Sequence, residues 1–249
     1  MALIQTKALV LKAIPFQETS SIVRLFTRAQ GRTALIAKGA RRLKSPFRGY
    51  LETLTLLDIS YYYKPTREIQ TLAKADIISR FAIDYDANRA ELFYATALIE
   101  LIDRILPGGQ KDEALFDFCV QILETLDQHP EHPAETFLYF LIGLATLLGY
   151  QPEFKSTGQP GDQLFYHSSA GHFSYAAPQI SDDAQRPIDP ELGALLQTIA
   201  GITTPSQLMV SPDPNLCRRA HAVMLDFLGV HLEQRLQLRS LQLMPMLTT

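Results

Sequence analysis

Residues 22–49 read IVRLFTRAQGRTALIAKGARRLKSPFRG, and this stretch decides the fold of the first half of the chain. Ile22 to Thr27 and Thr33 to Lys38 are short runs rich in β-branched, aliphatic and aromatic residues, the composition of strands. Between them Gln30-Gly31 reads as a turn of hairpin length, because glycine reaches positive φ without steric cost. From Gly39 to Gly49 the apolar pattern gives way to Gly, Ser, Pro and basic residues, which marks a loop. Outward on the N-terminal side, Leu3 to Ile14 alternates polar and apolar positions as a further strand. Outward on the other side, Leu51 to Tyr63 and Glu68 to Ile78 are strands separated by Lys64-Pro65-Thr66-Arg67, where Pro65 removes a ladder donor. Five short strands in the first 80 residues predict a small closed barrel, and an OB-fold has the right size.

Beyond about Asp84 the period changes. Leu92, Ala95, Ile99, Ile102 and Leu106 fall on one helix face, and Pro107-Gly108-Gly109 ends that helix. Asp112 is placed to cap a second helix carrying Leu115, Phe118, Cys119, Ile122 and Leu126. Phe137, Leu141, Leu144 and Leu148 repeat the stripe before Gly149. Residues 150–187 lose the period, and Phe165-Tyr166 with His172 to Tyr175 suggest a small hairpin insertion. Helical signals return at Pro190 to Ala200, and Asp213-Pro214 opens a long helix through Leu216, Ala220, Val223, Met224, Phe227 and Leu228. The expected class is α+β and multidomain. Residues 1–80 form the OB-fold barrel, and residues 81–249 an all-helical domain with a small irregular insertion at about 150–187.

Charge divides along the same line. The net charge of −3 conceals fourteen Lys and Arg against five Asp and Glu in residues 1–80, a net of +9. Residues 81–249 hold nine basic and twenty-one acidic residues, a net of −12. The asymmetry implies a polyanion-binding half joined to a half with another task, against the plainer alternative of two solvated surfaces. Between Thr19 and Leu51 there are eight basic residues and no acidic one: Arg24, Arg28, Arg32, Lys38, Arg41, Arg42, Lys44 and Arg48. Phosphate backbones bind such patches by counterion release. Phe47 beside Arg48, and Tyr62 in the run Tyr61-Tyr62-Tyr63, are candidate platforms for unstacked bases; the alternative is that such rings fill the barrel core.

Hydrophobic residues at 47% and charged residues at 20% fit an ordinary folded protein, with no apolar run long enough to span a bilayer. Gln5, Lys7 and Lys12 interrupt the N-terminus, which reads as a strand instead of a signal peptide. Cys119 and Cys217 are isolated, so a reducing, cytoplasmic compartment is expected. The sequence lacks GxxxxGK[ST], GxGxxG, HExxH and GxSxG, and neither cysteine neighbours a histidine. Asp84 with Asp86, Asp182 with Asp183, and the HPEHP turn of His129 and His132 read as loop or capping residues. No enzyme is expected.

Several N-terminal motifs resemble the RecO family of bacterial recombination mediators. They are Lys7-Ala8-Leu9-Val10-Leu11-Lys12, Glu18-Thr19-Ser20, Leu25-Phe26-Thr27-Arg28 with Gly31, and Ala37-Lys38-Gly39-Ala40-Arg41-Arg42 with Ser45 and Phe47-Arg48-Gly49. Leu228, His231, Leu232, Arg239 and Ser240 look like the end of the same family. The resemblance implies an OB-fold followed by a helical domain, in a cytoplasmic, nucleoid-associated protein. It implies binding of single- and double-stranded DNA, annealing of complementary strands, and help in loading the recombinase RecA onto DNA coated by single-strand-binding protein (SSB). Implied partners are RecR and the acidic C-terminal tail of SSB, which docks on the helical domain of this family. Arg218, Arg219, Arg235 and Arg239 stand out in the acidic half and are candidates to receive that tail. Many members carry two CxxC pairs after the Leu-Gly-Tyr helix end, a spacing suited to zinc. Here Gln151 to Pro178 contains no cysteine, so no zinc and no other cofactor is expected, with Phe165, Tyr166, Phe173 and Tyr175 packing the insertion instead. The competing readings are an adaptor whose basic barrel grips an acidic partner, and a DNA-processing nuclease.

Overall fold

In the computed structural model, which describes residues 2–81, 89–154, 163–175, 185–208 and 212–243, the chain begins with five strands. These are β1 (Ala2–Phe16), β2 (Ser20–Thr27), β3 (Gly31–Ala37), β4 (Thr55–Tyr63) and β5 (Ile69–Arg80), closed into a barrel in the order β1-β2-β3-β5-β4. Every pairing is antiparallel except β3 with β5, where Ala34–Ile36 runs parallel to Ile69–Thr71. This is the OB-fold that the strand count implied.

Alternation places Ala8, Val10, Val23, Leu25, Leu57, Ile59 and Tyr61 inside the barrel. The residues between them face outward, and one outward row is buried all the same. Leu9 sits between Phe26 of β2 and Leu56 of β4, and all three belong to the apolar cluster of the helical half. The barrel therefore shares one continuous core with the helices across this row, with Leu11 at a bulge in β1 and Leu54 alongside.

The helices are α1 (Arg89–Ile105), α2 (Glu113–Gln128), α3 (Pro133–Leu147), α4 (Pro190–Ala200), α5 (Pro214–His231) and α6 (Arg239–Leu243). Asp112 and Asp213 cap α2 and α5 as their positions suggest, accepting from the N–H of Leu115 (2.9 Å) and Asn215 (3.1 Å). Asp189 does the same for α4, accepting from Leu192 at 2.9 Å. The short α6 has no legible sequence signal, because its cap is tertiary. The Glu100 carboxylate of α1 accepts from the N–H groups of Arg239 (3.0 Å) and Ser240 (3.2 Å) and from the Ser240 hydroxyl (3.1 Å).

The insertion forms the expected hairpin, β6 (Phe165–His167) and β7 (His172–Ser174), and adds an unforeseen third strand, β8 (Gln185–Pro187), on the other edge of β6. The Gln-Arg-Pro run carries no strand pattern; pairing with β6 alone makes it one. Tyr166 and Phe173 are buried in the helical core, and Phe173 stacks on Phe227 of α5 at 5.6 Å. The Tyr175 hydroxyl donates to the Phe154 carbonyl.

Candidate nucleic-acid interface

The loop after β3 is bracketed by two left-handed glycines, Gly39 (φ +68°) and Gly49 (φ +73°). Consecutive turns hold it: Arg42 N–H donates to the Gly39 carbonyl (3.1 Å), and Ser45 N–H to the Arg42 carbonyl (3.0 Å). Arg41 ties it to the β1–β2 turn, its N–H donating to the Thr19 carbonyl (2.8 Å) and its Nη1 to the Gln17 carbonyl (3.3 Å). The Ser45 hydroxyl accepts from Phe47 N–H at 3.1 Å, which leaves its own proton directed elsewhere. Phe47 and Leu51 turn inward and join the barrel core. Lys38, Arg41, Arg42, Lys44 and Arg48 are left on the outside, all exposed. None of these five is in an ion pair among the described residues.

Phe47 thereby leaves the set of candidate base platforms. The residue is only 9% exposed, packed with the apolar side chains of the barrel core.

The other three cations of the basic run are engaged by the helical half. Arg24 pairs with Asp103 of α1 at 2.7 Å, and Arg32 donates to the Asp103 carbonyl at 2.9 Å. Arg28 grips Asp117 of α2 with Nε and Nη2, each at 2.9 Å, and approaches Glu113 at 2.6 Å. The hydrogen bond from Arg28 holds the Asp117 carboxyl below its ordinary range. Glu113 is lowered by its hydrogen bond with Lys111 and then by the charge of Arg28. These arginines meet acids of the helical half, so their charge is largely answered where the two halves join.

Of the three consecutive tyrosines, Tyr61 is buried in the barrel and its hydroxyl is pushed up to about 12 by that burial. Tyr62 points outward and is 42% exposed. Its register is informative: Leu3, Tyr62, Thr71 and Ile36 form one row across β1, β4, β5 and β3. Strands lie about 4.8 Å apart, so Tyr62 stands about 10 Å from Ile36, two residues before Lys38. Lys64 and Arg67, exposed in the β4–β5 turn, extend this cationic margin. Sequence reading assigned them to a strand break and missed them, as it missed Leu43 at the loop tip and Phe16 at the end of β1. Basic charge was the available signal for Lys64 and Arg67; exposure alone reveals Leu43 and Phe16.

In the helical half the four candidate arginines are not one cluster. Arg218 is exposed and lines a cavity of about 680 Å³ with Tyr94, Pro214, Cys217 and His221. Arg235 lines another, of about 670 Å³, with Leu236 and Leu238. Ala222, Leu225 and Leu241 border both cavities. Arg219 is paired with Asp189, while the Arg239 side chain is exposed beside the Glu100 cap.

In the insertion, the rings of His167 and His172 stack at 4.0 Å, with His167 Nε2 2.8 Å from the Ser174 hydroxyl. Among the described residues no group of three His, Cys, Asp or Glu is placed to hold a metal ion. Two stacked imidazoles without a thiolate do not fit a four-ligand zinc site. Asp84, Asp86, Asp182 and Asp183 lie outside the described residues. His129 sits 3.3 Å from Glu131, and His132 lies 3.5 Å from Glu135. No described helix is long and apolar enough to cross a membrane.

The fold and the loop define an OB-fold protein, docked on a helical domain, that carries exposed cations outside any ion pair among the described residues. Residues 1–81 match the family described as "Recombination protein O N terminal", and residues 87–241 match "Recombination protein O C terminal". The chain belongs to this RecO family of DNA repair proteins. Among its relatives, the DNA repair protein RecO of Salinibacter ruber is 30% identical over 234 residues, covering 91% of this chain and 87% of that one. The protein of the same name from Chlorobium phaeobacteroides is 28% identical over 221 residues, 83% of each. That of Thermodesulfovibrio yellowstonii reaches 35% over 167 residues, 66% of each.

Proposed function

We propose that this chain is a non-enzymatic recombination mediator that binds single- and double-stranded DNA, anneals complementary strands and helps load RecA onto SSB-coated DNA. The observation that carries the reading is the loop after β3, where five exposed cations face solvent without acidic partners among the described residues. Bound there, two strands would lose the phosphate repulsion that opposes pairing, and Tyr62 would offer a face to an unstacked base. RecR is a proposed partner. The acidic tail of SSB is assigned to the α5–α6 region, where Arg218 and Arg235 each border an apolar cavity. The annealing step needs no bond making, in keeping with the lack of a nucleophile–base motif in the sequence.

The test is binding of a fluorescent single-stranded oligonucleotide across a salt series, native against Arg41→Ala/Arg42→Ala/Lys44→Ala, with circular dichroism to confirm the fold. The expected result is weaker binding by the variant and a log–log salt slope shallower by about 2, at roughly 0.7 per lost phosphate contact. Native protein that binds no oligonucleotide at low salt would overturn the reading and favour an adaptor for an acidic protein.

A further inference from the structure

Leu43 is 83% exposed, more than any other large apolar side chain among the described residues. A single exposed leucine on an ordinary surface calls for no explanation. This one stands between Arg42 and Lys44, on the loop where Lys38, Arg41 and Arg48 are also exposed. The loop's other large apolar residues, Phe47 and Leu51, have turned into the barrel. The loop is also fixed in place, by its turn hydrogen bonds and by the two bonds from Arg41 to Thr19 and Gln17. Leu43 is therefore presented by a held backbone, with cations on both sides. A surface serving phosphate attraction alone gains nothing from an aliphatic tip in water.

We propose that Leu43 is a wedge that enters between neighbouring bases when the surrounding cations seat the phosphates. This rests on the reading of the loop as a DNA-binding element and adds the means by which it unstacks the bound strand. The chemistry is complementary at short range: guanidinium and ammonium groups meet the backbone, and the isobutyl group leaves water for the space between two base faces. Phe16, 38% exposed at the end of β1, precedes the turn on which Arg41 is anchored and gives the separated bases a second apolar surface nearby. A strand held with its bases apart is ready to meet a complement, which links the wedge to annealing.

The experiment uses the full chain and an oligonucleotide carrying 2-aminopurine between adenines, whose emission is quenched by stacking. Binding of native protein, followed by anisotropy, is expected to raise the emission severalfold. Leu43→Ser is expected to bind roughly fivefold more weakly, the order for returning part of a leucine to water. At saturation it should leave the emission near that of the free strand. Because the chain contains no tryptophan, Leu43→Trp adds a unique second reporter. Its emission should be quenched by the oligonucleotide and left unchanged by inorganic polyphosphate. A Leu43→Ser protein that raises 2-aminopurine emission like the native one would overturn the wedge while leaving the loop a DNA-binding element. So would a Leu43→Trp protein whose emission is unchanged with the oligonucleotide bound. Failure of native protein to bind the oligonucleotide at all would overturn both.

Discussion

Arg28, in the turn after β2, and Asp117 of α2 form a two-pronged ion pair, with Nε and Nη2 each 2.9 Å from a carboxylate oxygen. With Arg24 and Arg32 on Asp103, it divides one basic stretch of sequence between two tasks. Arg24, Arg28 and Arg32 fasten the barrel to the helices, and the cations after β3 face solvent. Arg28→Ala should therefore keep the native salt slope for oligonucleotide binding, with affinity within about twofold, while lowering the thermal midpoint. A loss of affinity as large as that of the loop triple variant would place Arg28 in the interface instead.

Gly31 is the tightest point of the joint. It has φ +66°, and a Cβ there would lie 1.9 Å from the Gln110 carbonyl oxygen. The neighbouring segment is bonded on, with Gly109 N–H donating to the Arg32 carbonyl at 3.1 Å. Gly31→Ala should cost about 3 kcal/mol, from left-handed strain plus displacement of the 108–110 segment. Gly49→Ala is the control. Its φ is +73°, but its Cβ would meet nothing nearer than 3.6 Å, so strain alone applies, at about 1 kcal/mol. Chemical denaturation of both variants measures the difference; equal losses would remove the close approach as a cause.

Period-2 and period-3.6 patterns made the barrel, five of the six α-helices among the described residues and the β6–β7 hairpin legible, because each buries one face. What escaped depended on partners distant in sequence. Glu100 caps α6 from 139 residues away, and β8 exists only against β6. In the candidate site, eight cations looked equivalent in sequence. Only the acids of α1 and α2 separate Arg24, Arg28 and Arg32 from the five that face solvent. Phe47 was misread because aromatic next to arginine describes a stacking platform and a barrel plug equally well. Tyr62, a candidate from the sequence, is turned outward by the register that buries Tyr61.

Tyr61 and Tyr62 should therefore respond oppositely to substitution. Tyr62→Ala should leave the thermal midpoint near native and weaken oligonucleotide binding about fivefold or more, within the range for one stacked base. Tyr61→Ala should destabilise the fold by about 3 kcal/mol or more as a large core truncation. If Tyr62→Ala binds a thymine oligonucleotide like the native protein, that ring is not a platform.

The insertion should stand without metal. Tyr166 and Phe173 anchor it in the helical core, and its two histidines stack on each other. Purified protein is expected to carry well under one zinc per chain by elemental analysis, with a melting curve unchanged by chelator. Stoichiometric zinc, with a midpoint that falls when it is removed, would refute this.

His221 sets an acid limit on stability. It is 3% exposed on α5, between the rings of Tyr94 (5.4 Å) and Phe137 (5.2 Å), and its Nε2–H donates to the Ala134 carbonyl at 2.8 Å. Burial disfavours the imidazolium and lowers the pKa from 6.5 to about 4, against the smaller opposing effect of that hydrogen bond. The unfolded chain therefore takes up a proton below pH 6.5 that the folded chain refuses until about pH 4. Above pH 6.5 the group imposes no penalty. Between 6.5 and 4 stability falls by up to about 1.4 kcal/mol per pH unit, or about 3 kcal/mol in all, and below that the contribution levels off. His221→Gln keeps a donor for Ala134 and cannot titrate. The difference in unfolding free energy between native and variant should be constant above pH 7 and shift in the variant's favour on acidification to pH 4. Parallel curves over that range would mean that His221 titrates in the folded protein much as it does in the unfolded chain.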